Sequence, residues 1–187
     1  AVAVLVAYRP PAAASETGLP GEALTDADGE YVRDAIPDAQ VLTEDGKLVF
    51  VADEARRAAH LLVFLSPGCG PCGRLGPLVA GWSEELAPVV VKAVVAGQPV
   101  VVETWLTYLQ GHAWLDPHGI TRKAFTGGNP SAVLLGADGL VAGGPVHGEE
   151  AVLSFIADIH DQLHEAREAG ELVEPDAADV AAVTDGR

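Results

Sequence analysis

Cys69 and Cys72 are the only two cysteines in the 187-residue chain, and their spacing is its clearest chemical signal. They sit in Ser66-Pro67-Gly68-Cys69-Gly70-Pro71-Cys72, directly after the apolar run Leu61-Leu62-Val63-Phe64-Leu65 and before a helical pattern. Two cysteines separated by two residues at a helix start can close a small disulfide ring. The unpaired N–H groups and the dipole of the helix start stabilise a thiolate. The thiolate is the species that attacks disulfides, and such settings bring a cysteine pKa down to roughly 3.5–7.5. The first cysteine is expected to face solvent, the second to lie one turn deeper. Cys69 is therefore the expected nucleophile, forming a mixed disulfide that Cys72 resolves, leaving Cys69–Cys72 oxidised. Pro71 falls in the first helical turn, where its missing N–H costs nothing.

Other chemistries fit less well. Structural zinc takes four ligands, and one C-x-x-C supplies two. His160 and His164 are spaced i, i+4, but almost a whole domain away, and read better as surface histidines on a polar helix face; no metal is expected. A purely structural disulfide would close too small a ring to constrain much chain. A pair of buried free thiols fits poorly with the Gly-Pro spacer at a helix start. The peroxidase setting Pro-x-x-x-[Thr/Ser]-x-x-Cys has its Ser66 but carries Leu62 where the proline belongs. Ser66 shows no nucleophile elbow, and no Gly-rich stretch matches a phosphate loop.

The elements that must hold the cysteines follow from periodicity. Val41-Leu42 and Leu48-Val49-Phe50-Val51 flank Thr43-Glu44-Asp45-Gly46-Lys47, a hairpin signal because Gly accepts positive φ. Asp53 to His60 reads as a short helix. Leu61 to Leu65 is continuous, short and bounded by Ser-Pro-Gly, as a fully buried strand should be. Cys72 to Leu86 reads as one helix with Leu75, Leu78, Val79 and Trp82 on a face. Val89 to Val95 is a second strand, and Val101 to Gln110 another helix. Ser131 to Leu135 is a third strand, turning through Gly136-Ala137-Asp138-Gly139 into Leu140-Val141-Ala142. Glu149 to Glu165 closes the pattern as an amphipathic helix, with Val152, Phe155, Ile156, Ile159 and Leu163 at spacings of three and four. Strands alternating with helices imply an α/β architecture, a mixed sheet with helices on both faces.

Length suits one domain with extensions: an arm over 1–34, a domain over 35–165 and an acidic tail over 166–187, expected to be mobile or disordered. Hydrophobic residues are 49% of the chain, enough for a core, and the formal net charge is −16. So acidic a chain repels phosphate backbones, which argues against nucleic acid as a partner. It also disfavours docking on anionic lipid. The chain neither begins with Met nor contains one, which reads as a fragment or a processed form. Ala1 to Tyr8 is almost wholly apolar but too short to span a bilayer. It reads either as the trailing end of an upstream anchor or signal segment, or as a buried strand or apolar stub. Pro, Ala, Gly and acidic residues make 9–34 a linker-like arm.

The segment Val63-Phe64-Leu65-Ser66-Pro67-Gly68-Cys69-Gly70-Pro71-Cys72 resembles the active-site stretch of thioredoxin-like proteins. It is most similar to the membrane-anchored extracytoplasmic TlpA-like group, with its MauD-type members, which also show Phe-x-Ser-Pro before the motif. The resemblance continues through Leu115-Asp116-Pro117-His118-Gly119-Ile120 and Thr126-Gly127-Gly128-Asn129-Pro130-Ser131 to Gly139, covering roughly Ile36 to Leu163. It implies a thioredoxin-like fold with an N-terminal β-hairpin extension. It also implies that Pro130, preceded by Asn129, is a cis-proline facing the cysteines, where the backbone of Asn129 could pair with an extended substrate strand. Gly70, Pro71, Asn129 and Pro130 are then the expected substrate-binding residues, with Cys69 and Cys72 catalytic. The sequence departs from the family at three places. Val63 stands where thioredoxin has a buried acid, Leu75 where some TlpA-like proteins carry a buried Glu, and Gly68 where thioredoxin has Trp. No buried base for Cys72 is obvious; Lys92, mid-strand, is a possible neighbour but reads better as a strand-edge or snorkelling lysine.

The function implied is thiol–disulfide exchange, foremost by a membrane-tethered extracytoplasmic protein-disulfide reductase. Its redox group would be the Cys69–Cys72 disulfide, without a further cofactor. Its partners would be protein disulfides or dithiols and an upstream thiol donor. The alternatives are a cytoplasmic thioredoxin, which the long arm and extra hairpin disfavour, and a non-enzymatic binding module on the same fold.

Overall fold

The computed structural model describes residues 33–97 and 99–172. The apolar run at Ala1 to Tyr8, the arm up to 32 and the acidic stretch after Leu172 lie outside the described residues. The described chain opens with a hairpin in which Gln40–Thr43 (β1) and Leu48–Phe50 (β2) pair antiparallel. Gly46 takes φ +82° at its tip, and the Thr43 hydroxyl accepts the Lys47 N–H at 3.0 Å, so the Asp-Gly signal is used as a turn. Val51–Ala55 (α1) leads to His60–Leu65 (β3). Next come Gly70–Leu75 (α2), a 3₁₀ turn at Gly76–Leu78, and Val79–Glu85 (α3). Val90–Ala96 (β4), Pro99–Leu109 (α4), Ala113–Asp116 (β5) and Ile120–Phe125 (α5) follow. Ser131–Leu135 (β6), Val141–His147 (β7) and Glu149–Glu168 (α6) complete it.

Among the described residues, seven strands form one mixed sheet in the order β2-β1-β5-β4-β3-β6-β7. β3 lies inside it, parallel to β4 and antiparallel to β6, and all six of its residues are buried. Strand alternation divides the core in two. One face carries Leu61, Val63 and Leu65 with Cys72, Leu75 and Val79, Val102 and Leu109 of α4, and the apolar stripe of α6. The other carries Leu62, Phe64, Val94 and Trp114 under Ile36, Ala39, Val51 and Ala55. Helices thus cover both faces, as the α/β pattern implied, and the hairpin forms one edge of the sheet.

Several boundaries differ from the sequence expectation, each for a local reason. The helix expected over Cys72 to Leu86 is interrupted at Gly76–Leu78, because Pro77 has no N–H to give back along the helix. The short helix starts at Val51 rather than Asp53. The Val51 N–H goes to Ala39 O at 3.0 Å and its side chain is fully buried, so packing overrides its strand preference. It also ends before His60, which opens β3. The last helix runs to Glu168, beyond the expected boundary at 165. Its final residues are good helix formers, Arg167 donates to Ala87 O, and Gly170 at φ +70° follows its end. The first residues assigned to a mobile tail are therefore helical. β5 and α5 were not anticipated from periodicity at all.

His60 is buried, stacks on Trp114 with ring centroids 5.4 Å apart, and bonds Ala58 O through Nδ1 at 2.8 Å. Burial pushes its pKa below the usual 6.5, against the pull of the Ala58 carbonyl and Glu54. The unfolded chain therefore binds a proton more readily than the native one. Stability should be full above about pH 6.5 and fall as the pH drops from there through the lower native pKa. Denaturant midpoints between pH 5 and 7.5 should show this slope in the wild type, and a shallower one in His60→Leu. Equal slopes would mean that His60 does not drive it.

Candidate redox site

The site begins where β3 stops. Ser66-Pro67-Gly68 turns the chain away from the sheet, with Gly68 at φ +82° and open space where a Cβ would lie. Glycine is required there by backbone angle rather than by crowding. Cys69 then takes the N-cap position of α2 with extended angles, φ −85° and ψ 108°. Its N–H donates to Ser66 O at 3.3 Å, and its sulfur accepts the Cys72 N–H at 3.2 Å. Pro71 lies in the first turn. Cys69 and Cys72 are joined as a disulfide, S–S 2.09 Å and Cα–Cα 5.2 Å. Cys69 is half-buried, whereas Cys72 is 0% exposed among Leu61, Val63 and Leu75. The two sulfurs are thus unequal: a reagent reaches the pair through Cys69.

The second half of the site is the loop before β6. The Asn129–Pro130 peptide bond is cis, as are Ala87–Pro88 and Gly144–Pro145. Pro130 is buried, and its carbonyl accepts the Gly148 N–H at 2.9 Å. Arg122 holds the loop from behind, donating through Nη1 to Gly127 O at 2.8 Å, while its own carbonyl accepts the N–H groups of Thr126 and Gly127. The Ser131 hydroxyl reaches Thr126 Oγ1 at 2.9 Å and Gly128 O at 2.8 Å. The Asn129 amide, oriented by its bonding network, donates to Gly128 O (3.0 Å) and Phe64 O (3.3 Å) and accepts from Ser66 Oγ (3.2 Å). The cis-proline loop is therefore bonded directly to the strand end that delivers Cys69.

Solved structures with the same arrangement of strands and helices are numerous enough to decide the architecture. A thiol:disulfide interchange protein of the thioredoxin family from Chlorobium tepidum superposes with a TM-score of 0.56 at 20% identity, over 72% of this chain and 99% of that one. The chain has a thioredoxin fold. A protein described as a disulfide isomerase from Bacteroides thetaiotaomicron gives 0.54 at 19% identity, over 75% and 95% of the two chains. A secreted Mycobacterium tuberculosis disulfide oxidoreductase, homologous to E. coli DsbE, gives 0.51 at 16% identity, over 64% and 95%. No protein-family model and no curated protein matches the sequence.

On this thioredoxin fold the sequence-derived residues Cys69, Gly70, Pro71, Cys72, Asn129 and Pro130 lie on two adjoining segments, the start of α2 and the loop into β6. Lys92 does not join them. Alternation along β4 puts it on the face opposite Ala93 and Cys72. It is neither at a sheet edge nor near the dithiol: β4 lies between β3 and β5, and the ammonium donates to Gly111 O at 2.6 Å. Burial pushes its pKa down, partly offset by Glu44 and Glu54. The buried polar side chains among the described residues are His60, Asp116, Thr121 and Ser131. His60, Asp116 and Ser131 also alternate onto the face away from Cys72. Asp116 is committed to the start of α5, accepting the N–H groups of Ile120 (3.0 Å) and Arg122 (2.8 Å).

Residues that sequence reading did not select are Ser66, Arg122, Arg74 and Glu149. Arg74, two residues after Cys72, donates through Nε to Glu149 Oε1 at 2.8 Å and through Nη2 to Oε2, tying α2 to the first turn of α6. The Glu149 hydrogen bond raises the Arg74 pKa, and the same bond lowers that of Glu149. Nothing local in sequence pairs residues 75 apart. Gly76 was missed as well: a Cβ there would come within 2.9 Å of Tyr108 and 3.3 Å of Trp105, so this glycine lets α4 approach the redox helix.

Proposed function

We propose that the protein is a thiol–disulfide oxidoreductase that reduces protein disulfides through Cys69 and Cys72. The carrying observation is the inequality of the pair: a half-buried Cys69 capping α2, bonded to a Cys72 with no exposure. In the reduced protein, the Cys69 thiolate attacks one sulfur of a substrate disulfide. That S–S bond breaks, and the departing sulfur takes a proton from water. Cys72 gives its proton to solvent and attacks the Cys69 sulfur, closing the ring and releasing the second substrate thiol. Two electrons and two protons pass to the substrate, and an upstream thiol donor restores the pair. No separate cofactor enters this cycle. Among the described residues no group of three or more His, Cys, Asp or Glu side chains could hold a metal ion.

Gly70, Pro71, Asn129 and Pro130 would form the rim on which a substrate strand lies, within a domain spanning 35–165. The Gly-Pro spacer, as in reducing thioredoxins, supports the reductive direction. A location outside the cytoplasm, with a membrane tether upstream, is supported by the apolar Ala1 to Tyr8 run and the linker-like arm. The similar secreted mycobacterial protein supports the location. Among the described residues no helix is long and apolar enough to cross a membrane.

The test is the equilibrium reduction potential of Cys69–Cys72, by thiol trapping in defined redox buffers. A value near thioredoxin's, about −270 mV, supports a reductase; a value near DsbA's, about −120 mV, makes the protein an oxidant. A pair that forms no disulfide in any buffer leaves a binding module as the better account.

A further inference from the structure

Ser66 is bonded to both halves of the site at once. Its carbonyl accepts the Cys69 N–H, and its hydroxyl donates to the side-chain oxygen of Asn129. Asn129 spends both amide hydrogens inward as well, on Phe64 O and Gly128 O. An Asn side chain offers two donors on its nitrogen and an acceptor oxygen with two lone pairs. Here both donors and one lone pair are engaged with the protein, so the side chain has no N–H left for a substrate. The next residue is cis-Pro130, and Gly148 fixes the carbonyl beyond it.

We infer that Ser66 and Asn129 are positioning residues. Their side chains form a strut that sets where cis-Pro130 stands relative to the Cys69 sulfur. This inference rests on the exchange reading above. Without the strut, the loop is still held from behind by Arg122 and Ser131, so the fold survives while the register between loop and sulfur loosens. Such a loss falls on substrates that must lie across the loop. A small disulfide that meets Cys69 alone does not need the loop in register.

The experiment compares wild type with Ser66→Ala, Asn129→Ala, the double variant and Ser66→Thr. Insulin, with dithiothreitol as the reductant, is the protein disulfide; the small one is 5,5′-dithiobis(2-nitrobenzoate), mixed in a single turnover with pre-reduced protein freed of dithiothreitol. For insulin, kcat/KM should fall about five- to tenfold in either single Ala variant. In the double it should fall no further than in Asn129→Ala, because that change already removes the bond that Ser66→Ala breaks. Ser66→Thr, which keeps the hydroxyl, should retain most of the wild-type insulin rate, and in both single Ser66 variants the small disulfide should react at the wild-type rate. The inference is overturned if insulin reduction is unchanged in the Ala variants. It is also overturned if both substrates slow equally in Ser66→Ala, or if the two losses multiply in the double variant. A wild type that reduces neither substrate overturns the exchange reading and this inference with it; an active wild type with unaffected variants removes only the inference.

Discussion

Cys72→Ser is expected to stop the cycle halfway, with the protein accumulating as a mixed disulfide on Cys69. The half-buried sulfur can still attack, but nothing remains beneath it to expel the bound substrate thiol. Cys69→Ser should lose disulfide reduction down to the uncatalysed background, because the remaining Cys72 is sealed under Leu61, Val63 and Leu75. Incubation of each pre-reduced variant with insulin, its disulfides intact, followed by non-reducing electrophoresis and mass spectrometry, distinguishes the two. A trapped adduct on Cys72 in the Cys69→Ser protein, or none in Cys72→Ser, would reverse the assigned order. The base and acid buried in the sheet, His60 and Asp116, alternate onto the face away from Cys72, so ring closure passes the Cys72 proton to solvent.

Phe64→Ala should cost about 3–5 kcal/mol of stability. Phe64 is fully buried on that same far face and its ring lies against Phe125, centroids 5.8 Å apart. Truncation removes the ring contacts and leaves a void beside Phe125 in the layer packed on that face, over a strand held on both sides by β4 and β6 that has little freedom to close it. Chemical denaturation should show the loss as a lower midpoint at unchanged slope. The backbone carbonyl that receives Asn129 is kept and the ring points away from the dithiol, so exchange by the folded fraction should change little. A loss below about 1 kcal/mol would mean that the site collapses around the smaller side chain.

The parts of the molecule that were legible in sequence are those whose cause is local. Asp45-Gly46 announces its turn because only the glycine accepts φ +82° comfortably. Leu61 to Leu65 announces a strand buried on both faces because no polar residue interrupts it. The redox pair announces itself by spacing and by the proline between the two cysteines, and the cis bond at Pro130 was reached only through resemblance. What stayed hidden depends on distant partners. Ala113-Trp114-Leu115-Asp116 has no alternation because both faces are covered, and four residues are too few for a pattern. Ile120–Phe125 starts after Gly119 without a capping side chain at that position. Its N–H groups are received by Asp116, which lies further back in β5. Ser66 was read only as part of Phe-x-Ser-Pro and as a serine with no nucleophile elbow. Its importance comes from Asn129, 63 positions later, which no periodicity connects to it.

The place where the described chain enters the fold has a practical corollary. Arg33 is ion-paired to Asp138, and Ala35 bridges Leu140, both at the turn between β6 and β7. That turn lies at the His60 end of β3, while Cys69 follows the Leu65 end, about 20 Å away along a six-residue strand. Anything fastened through the residues before Arg33, whether a bead, an electrode or a bilayer, would hold the molecule by its base and leave the sulfur atoms on the far pole. An immobilised layer fastened at Arg33 itself would present its reactive ends outward, like the heads of pins pushed into a board.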